Sequence, residues 1–115
     1  MSKTDSLKIF NSWLYIETYY YSGISTYLLS EMADMSEKKY TARFVKIFGM
    51  TPKQYLLMCR LNNVCNYLIT TKYSISKISD LCGFTSLSYF HRAFKKTYEM
   101  TPSEFRYRQL QKNMI

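Results

Sequence analysis

"GMTPKQY" (Gly49–Tyr55) and "EMTPSEF" (Glu99–Phe105) repeat one another fifty positions apart, and between them they use the only two prolines of the chain. Both copies carry the marks of a helix start. Thr51 and Thr101 can cap through their hydroxyls, and Pro52 and Pro102 fall at the first helical position, where no N–H is missed. Gln54 and Glu104, three residues past each Thr, can close a capping box. Met50 with Tyr55, and Met100 with Phe105, have the spacing of a hydrophobic staple. One such start would be ordinary; two at matching distance imply a repeated unit.

The repeat extends upstream. At the same offset of fifty, Phe44 matches Phe94, Lys46 matches Lys96 and Phe48 matches Tyr98. Further back the offset becomes forty-nine: Leu29-Ser30 matches Ile78-Ser79, Met32 matches Leu81, and Met35 matches Phe84. The one-residue change falls in a turn, where insertions cost least.

Pattern and punctuation give an all-α chain of about seven helices, with no convincing strand. The first spans 5–21, with Ile9, Trp13, Ile16 and Tyr20 on one face and Ser22-Gly23 as its stop. A short helix follows over 25–32, capped by Ser25. Next comes 36–49, capped by Ser36, with Tyr40, Phe44 and Ile47 inward and Gly49 as the stop. Thr51-Pro52 opens the longest helix, to about Thr70, with Leu57, Leu61, Val64, Cys65 and Leu68 as inner stripe and Asn62, Asn63 and Asn66 outward. Ser74 or a near neighbour caps a short helix that Gly83 breaks; helices over 86–98 and from 102 to roughly 111 complete the set. The expected division is 1–50, a linking helix 51–71, and 72–115.

Each unit is thus a short helix, a tight turn, a second helix with a face of Lys, Arg, Ser and Thr that nothing in the chain needs to bury, and a Thr-Pro-capped helix. A short helix holding a polar, basic one is a helix-turn-helix, whose second helix enters the major groove of DNA. The linking helix of near twenty residues spans ~30 Å, against roughly 34 Å between successive major-groove faces on one side of a duplex. An imperfect fit would require DNA bending at an order of a few kcal/mol.

Composition agrees. At 115 residues the chain is one domain or two small subdomains sharing a long element, and 47% apolar residues with twelve Tyr and seven Phe suffice for a core. No apolar run approaches a spanning length, and the N-terminus lacks the apolar stretch of a signal peptide, so a cytoplasmic protein is expected. Cys59, Cys65 and Cys82 form no C-x-x-C pair and read as reduced packing residues rather than a disulfide framework or a zinc site. Residues 1–35 carry net charge −2 and residues 36–115 carry +10, a footprint expected for a polyanion partner.

The stretch "ISKISDLCGFTSLSYFHRAFKKTYEMTPSEFR" (75–106) resembles the signature of the AraC/XylS-type transcriptional regulators. The match runs through Ile78, Gly83-Phe84, Ser86, Tyr89-Phe90, Arg92, Phe94-Lys95-Lys96, Thr101-Pro102 and Phe105-Arg106. The first unit matches through Leu29, Ser36, Tyr40, Phe44, Lys46, Gly49, Met50, Pro52, Tyr55 and Arg60-Leu61, so the resemblance covers about 5–110. In length the chain resembles the small stand-alone members, without room for an effector-binding barrel. The departures are Ser30 and Ser79 where Ala is frequent, Asp34 where the first turn often has Gly, and Glu99 in place of a helix-ending Gly, which predicts a less well formed stop.

The resemblance implies a double-stranded DNA-binding regulator, an activator that recruits RNA polymerase through an exposed surface and works as a monomer on DNA. Base-reading positions map to Lys38, Thr41 and Ala42 on the first reader and to Leu87, Ser88, His91 and Arg92 on the second. Ala42 sits where Arg is common. Arg92 is the best candidate for a bidentate guanine contact. Lys39, Arg43, Lys46, Lys95 and Lys96 are the phosphate candidates, supplying affinity and register. Arg60 reads as structural. The alternative is a degenerate or split member acting as a protein-interaction module. An enzyme finds no support: the chain has one His, no phosphate-cradling Gly loop and no metal cluster, so no cofactor is expected.

Overall fold

A computed structural model describes residues 1–113; positions 114 and 115, the end of the expected 72–115 subdomain, lie outside the described residues. Seven helices and no strand are present among these residues: α1 Lys3–Tyr19, α2 Thr26–Met32, α3 Glu37–Phe48, α4 Pro52–Thr70, α5 Ile75–Leu81, α6 Leu87–Tyr98 and α7 Pro102–Asn113. The chain divides into two compact units, Met1–Cys59 and the part from Arg60 onward, with the boundary inside α4.

Serine begins five of the helices. The hydroxyls of Ser2, Ser25, Ser36, Ser74 and Ser86 accept from the N–H groups of Asp5, Leu28, Lys39, Lys77 and Tyr89 respectively. Each satisfies a donor that the helix leaves orphaned. Both Thr-Pro starts close the expected capping boxes. The Gln54 N–H donates to Thr51 Oγ1 at 3.1 Å and the Thr51 N–H to Gln54 Oε1 at 2.9 Å. The same pair of bonds joins Thr101 and Glu104 at 3.1 and 3.3 Å.

The two helix-turn-helix turns are built alike. After α2, the Asp34 N–H donates to Glu31 O and the Met35 N–H to Ser30 O, both at 3.0 Å. After α5, the Gly83 N–H donates to Asp80 O at 3.1 Å and the Phe84 N–H to Ser79 O at 3.0 Å. This is the Schellman pattern, completed by the buried side chains of Met35 and Phe84. Its left-handed residue is Asp34 (φ 54) in one unit and Gly83 (φ 92) in the other. A second left-handed residue ends each following helix: Gly49 (φ 77) after α3 and Glu99 (φ 61) after α6.

Glu99 therefore corrects the expectation of a weaker stop. Its N–H reaches Lys95 O at 2.8 Å, the same distance as Gly49 N–H to Val45 O. The stop is fully formed, and the cost appears as backbone strain on a residue with a Cβ.

Within the first unit, α3 packs on α1 and α2. Its core holds Ile9, Ile16, Ile24, Leu29, Ala33, Met35, Tyr40, Phe44, Leu56 and Cys59. A buried polar chain crosses it: Tyr40 Oη donates to Ser12 Oγ at 2.8 Å, and Ser12 Oγ donates to Ile9 O at 2.7 Å. Burial raises the Tyr40 phenol above its ordinary pKa of 10.0. In the second unit, α6 packs on α5 and α7, and Leu61, Val64, Leu68, Ile78, Cys82, Phe84, Phe90, Ala93 and Phe94 are buried.

Each unit is centred on one phenylalanine of its second helix. Phe44 lies 6.0 Å from the Tyr40 ring, 4.6 Å from Phe48 and 6.0 Å from Tyr55. Phe94 lies 6.0 Å from Phe90, 4.7 Å from Tyr98 and 5.8 Å from Phe105. Truncating either buried Phe to Ala costs about 3–5 kcal/mol.

Several packing expectations need correction. On α4, Leu56 and Cys59 are buried, whereas Leu57 and Cys65 are only half-buried. The inner face of the early turns is therefore rotated by one residue from the expected stripe, because these turns pack into the first unit and the later turns into the second. Trp13 on α1 and Tyr20 just past its end are half-buried, and Ser12 takes a buried place. α1 also starts at Lys3 and ends at Tyr19 rather than spanning 5–21. Burial pushes the Cys82 thiol up to about 12 and the Cys59 thiol up to about 11, in keeping with packing roles.

Two predictions concern the caps. A Cβ at Gly49 would meet no atom within 4 Å, so only backbone strain separates Gly from other residues there. Glu99→Gly raises stability by about 1 kcal/mol and Gly49→Ala lowers it by about as much, both read from urea denaturation midpoints. The Thr101 N–H, and after it the Thr101 hydroxyl, hold the Glu104 carboxyl below its ordinary 4.5. A depressed carboxylate contributes stability above its unfolded pKa and loses it as pH falls through the folded value. Acidification below about pH 4.5 therefore weakens the wild type more than Glu104→Gln, whose cap then matches the non-titrating Gln54 box; thermal melts across that range read the difference.

Candidate nucleic-acid interface

Helix α6 turns Phe90, Ala93 and Phe94 inward, which leaves Leu87, Ser88, His91, Arg92, Lys95 and Lys96 exposed on its other side. No acidic residue lies within α6, and Lys95 and Lys96 sit in its last turn, where cations complement the helix dipole. His91, Arg92, Lys95 and Lys96 line a shallow, open hollow of about 500 Å³. The His91 ring lies 5.2 Å from that of Phe90. Arg92 is exposed and forms no ion pair with Asp80 among the described residues. All six candidates of the second reader thus lie on one accessible helix.

The first reader is less uniform. Lys38, Ala42 and Lys46 are exposed on α3, and Thr41 is half-buried. Lys39 is engaged within the unit, its Nζ 3.6 Å from Asp5 Oδ2 at the start of α1. Arg43 is half-buried, and its Nε is buried without a hydrogen-bond partner among the described residues. A buried donor left without a partner is costly to the fold.

Sequence reasoning passed over Val45, which is 38% exposed on α3. The signal was available: Val45 stands three and four residues after Ala42 and Thr41, on the same helical face. Arg106, which the sequence marks only as part of the family signature, has a specific contact: its Nε donates to Leu68 O at 3.0 Å and its Nη2 donates to Thr71 O at 3.3 Å. Arg106 thereby caps the C-terminal carbonyls of α4 and has a structural role. The signal for this contact is tertiary, since thirty-eight positions separate Arg106 from Leu68.

Among the described residues no group of three His, Cys, Asp or Glu side chains is placed to hold a metal ion. Nor, among the described residues, is any helix long and apolar enough to cross a membrane.

Comparison with known proteins places this geometry. Residues 29–108 match the family described as a helix-turn-helix domain. The chain is 45% identical over 65 residues to the urease operon transcriptional activator of Escherichia coli, covering 56% of this chain and 22% of that protein. It spans 38% and 24% of the length of two other curated regulators that it matches. Among solved structures it is similar to the C-terminal domain of the two-component response regulator yesN from Fusobacterium nucleatum. That likeness has a TM-score of 0.80 at 32% identity and covers 83% of this chain and 93% of that one. It also shares the fold of the DNA-binding domain of AdpA, solved in complex with a target DNA. There the TM-score is 0.82 at 22% identity, with 85% and 88% of the two chains covered. With two matching helix-turn-helix units and a family match over most of its length, the chain belongs to the AraC/XylS-type family of helix-turn-helix transcriptional regulators.

Proposed function

We propose that this chain binds double-stranded promoter DNA sequence-specifically, with α3 and α6 each entering a major groove, in adjacent turns of the duplex. The observation that carries this reading is α6. It is a helix anchored by Phe90 and Phe94 that presents Ser88, His91, Arg92, Lys95 and Lys96 to solvent with no acidic neighbour on the helix. Arg92 reads guanine, and Ser88, His91 and Leu87 read the neighbouring base edges. Lys46, Lys95, Lys96 and Arg43 contact phosphates, and Lys39 joins them when it leaves Asp5. On α3 the base-facing residues are Lys38, Thr41 and Ala42. The protein acts in the cytoplasm, at the nucleoid, as a monomer on an asymmetric site. It works as an activator, a reading supported by the name of the urease operon relative, and contacts RNA polymerase.

A second reading, a module that needs a protein partner for specific binding, is favoured by one observation. Leu7, Phe10 and Leu14 of α1 are 61%, 49% and 57% exposed along one side of that helix.

Selection of sites from a random duplex pool at near-physiological salt separates the two. The expected result is one asymmetric motif with two blocks about one helical turn, ~10 bp, apart. Salt-sensitive binding without a motif would favour the partner-dependent module. Against the selected site, Arg92→Ala loses about 1–3 kcal/mol of discrimination between that site and scrambled DNA. Lys96→Ala instead weakens all sequences alike and lowers the salt slope by about 1. Unchanged selectivity in Arg92→Ala would remove Arg92 from the reading face.

A further inference from the structure

The internal repeat that makes the units alike also shows where they part. At positions fifty apart, Ser88, His91, Arg92, Lys95 and Lys96 of α6 correspond to Lys38, Thr41, Ala42, Val45 and Lys46 of α3. Lysine remains at both ends of the α3 face. At its centre the long hydrogen-bonding side chains are gone: Ala42 is exposed, Val45 is 38% exposed, and half-buried Thr41 brings one methyl and a single hydroxyl. Leu87 is the apolar member of the α6 face, but the middle of that face is His91 and Arg92.

Neither helix propensity nor core packing calls for this substitution. A β-branched residue lowers helix propensity, and Val45, 38% exposed, is only partly covered and lies outside the buried core. The adjacent Phe44 is fully buried, so the helix has its anchor without Val45. A patch of methyl groups bounded by Lys38 and Lys46 has a specific counterpart in duplex DNA. In the major groove thymine alone presents a methyl, on C5, and Ala and Thr methyls are the side-chain groups that pack against it. The lysines at either end suit the phosphates that border such a block.

We infer that α3 reads thymine C5-methyl groups through Thr41, Ala42 and Val45, so that its half of the site is a thymine-bearing block, chemically unlike the guanine-bearing block read by α6. This rests on the proposed entry of α3 into the major groove. The composite site is then asymmetric in chemistry as well as in position.

The test replaces each thymine of the selected duplex in turn by deoxyuridine, which pairs in the same way and lacks only the methyl, and measures binding of the full chain. Each replacement in the α3 block weakens binding about threefold to fourfold, the worth of one buried methyl, and replacements in the α6 block change it by less than about twofold. Val45→Ala, at a surface position and with a better helix former, keeps its helical circular dichroism. It diminishes the deoxyuridine sensitivity of the α3 block and leaves the other block unchanged. Thr41→Val, which keeps the methyl and removes the hydroxyl, retains the sensitivity. Indifference of the α3 block to deoxyuridine, or sensitivity undiminished in Val45→Ala, would overturn thymine reading while leaving two-block DNA binding intact. Selection that yields only one block, or none, would instead remove the groove entry of α3 and this inference with it.

Discussion

Burial of one phenylalanine per unit is the contact on which the rest of the structure depends. Phe44 and Phe94 are both fully buried, and each touches three aromatic rings, two of its own helix and one from the Thr-Pro-capped helix that follows. These contacts fix the rotation of α3 and α6 about their own axes. Once Phe94 is inside, a helical repeat of 3.6 residues forces Arg92, Lys95 and Lys96 outside. The exposed cationic face is thus specified by what the opposite face must bury. The capping boxes set where Tyr55 and Phe105 enter that cluster, and this is why the Thr-Pro starts recur with the phenylalanines.

The two units divide their conformational strain differently. Each needs one left-handed residue in its turn and one at the end of its second helix, and each has a single glycine for the two places. The first unit puts Gly49 at the helix end and leaves Asp34 in the turn. The second puts Gly83 in the turn and leaves Glu99 at the helix end. An Asp tolerates the left-handed region better than a Glu, because its short side chain can bond locally. The hydrogen bonds at matched sites are nonetheless alike within 0.1 Å. Tertiary packing has imposed the geometry and the residue absorbs the strain.

Buried and surface positions of the repeat have diverged to different degrees. Aromatic centres, caps and turns coincide, whereas the outward faces differ in chemistry: methyl-bearing at the middle of α3, cationic and hydrogen-bonding on α6. Close packing penalises change in a core, while an exposed helical position accepts almost any side chain. Different surfaces on two similar scaffolds are what a single chain needs to recognise an asymmetric partner without dimerising.

Much of this was legible in the amino-acid order. Ser, Thr-Pro, Gly and the apolar period placed the seven helices within a few residues, and the fifty-residue repeat exposed the paired units and the face carrying Arg92. These signals are local: a cap acts over three residues and a helical face over four. The chain alone did not show that Leu56 and Cys59 rather than Leu57 and Cys65 are buried, that Lys39 is drawn to Asp5, that Arg106 caps α4, or that Glu99 completes its helix stop. Each of these depends on groups distant in sequence or on a backbone state that packing enforces against local preference. The sequence by itself determined which elements form and which faces they offer. Only the tertiary structure decided how far each face is buried and which charged groups are held within the fold, because burial and ion pairing are set by neighbours that no local pattern encodes.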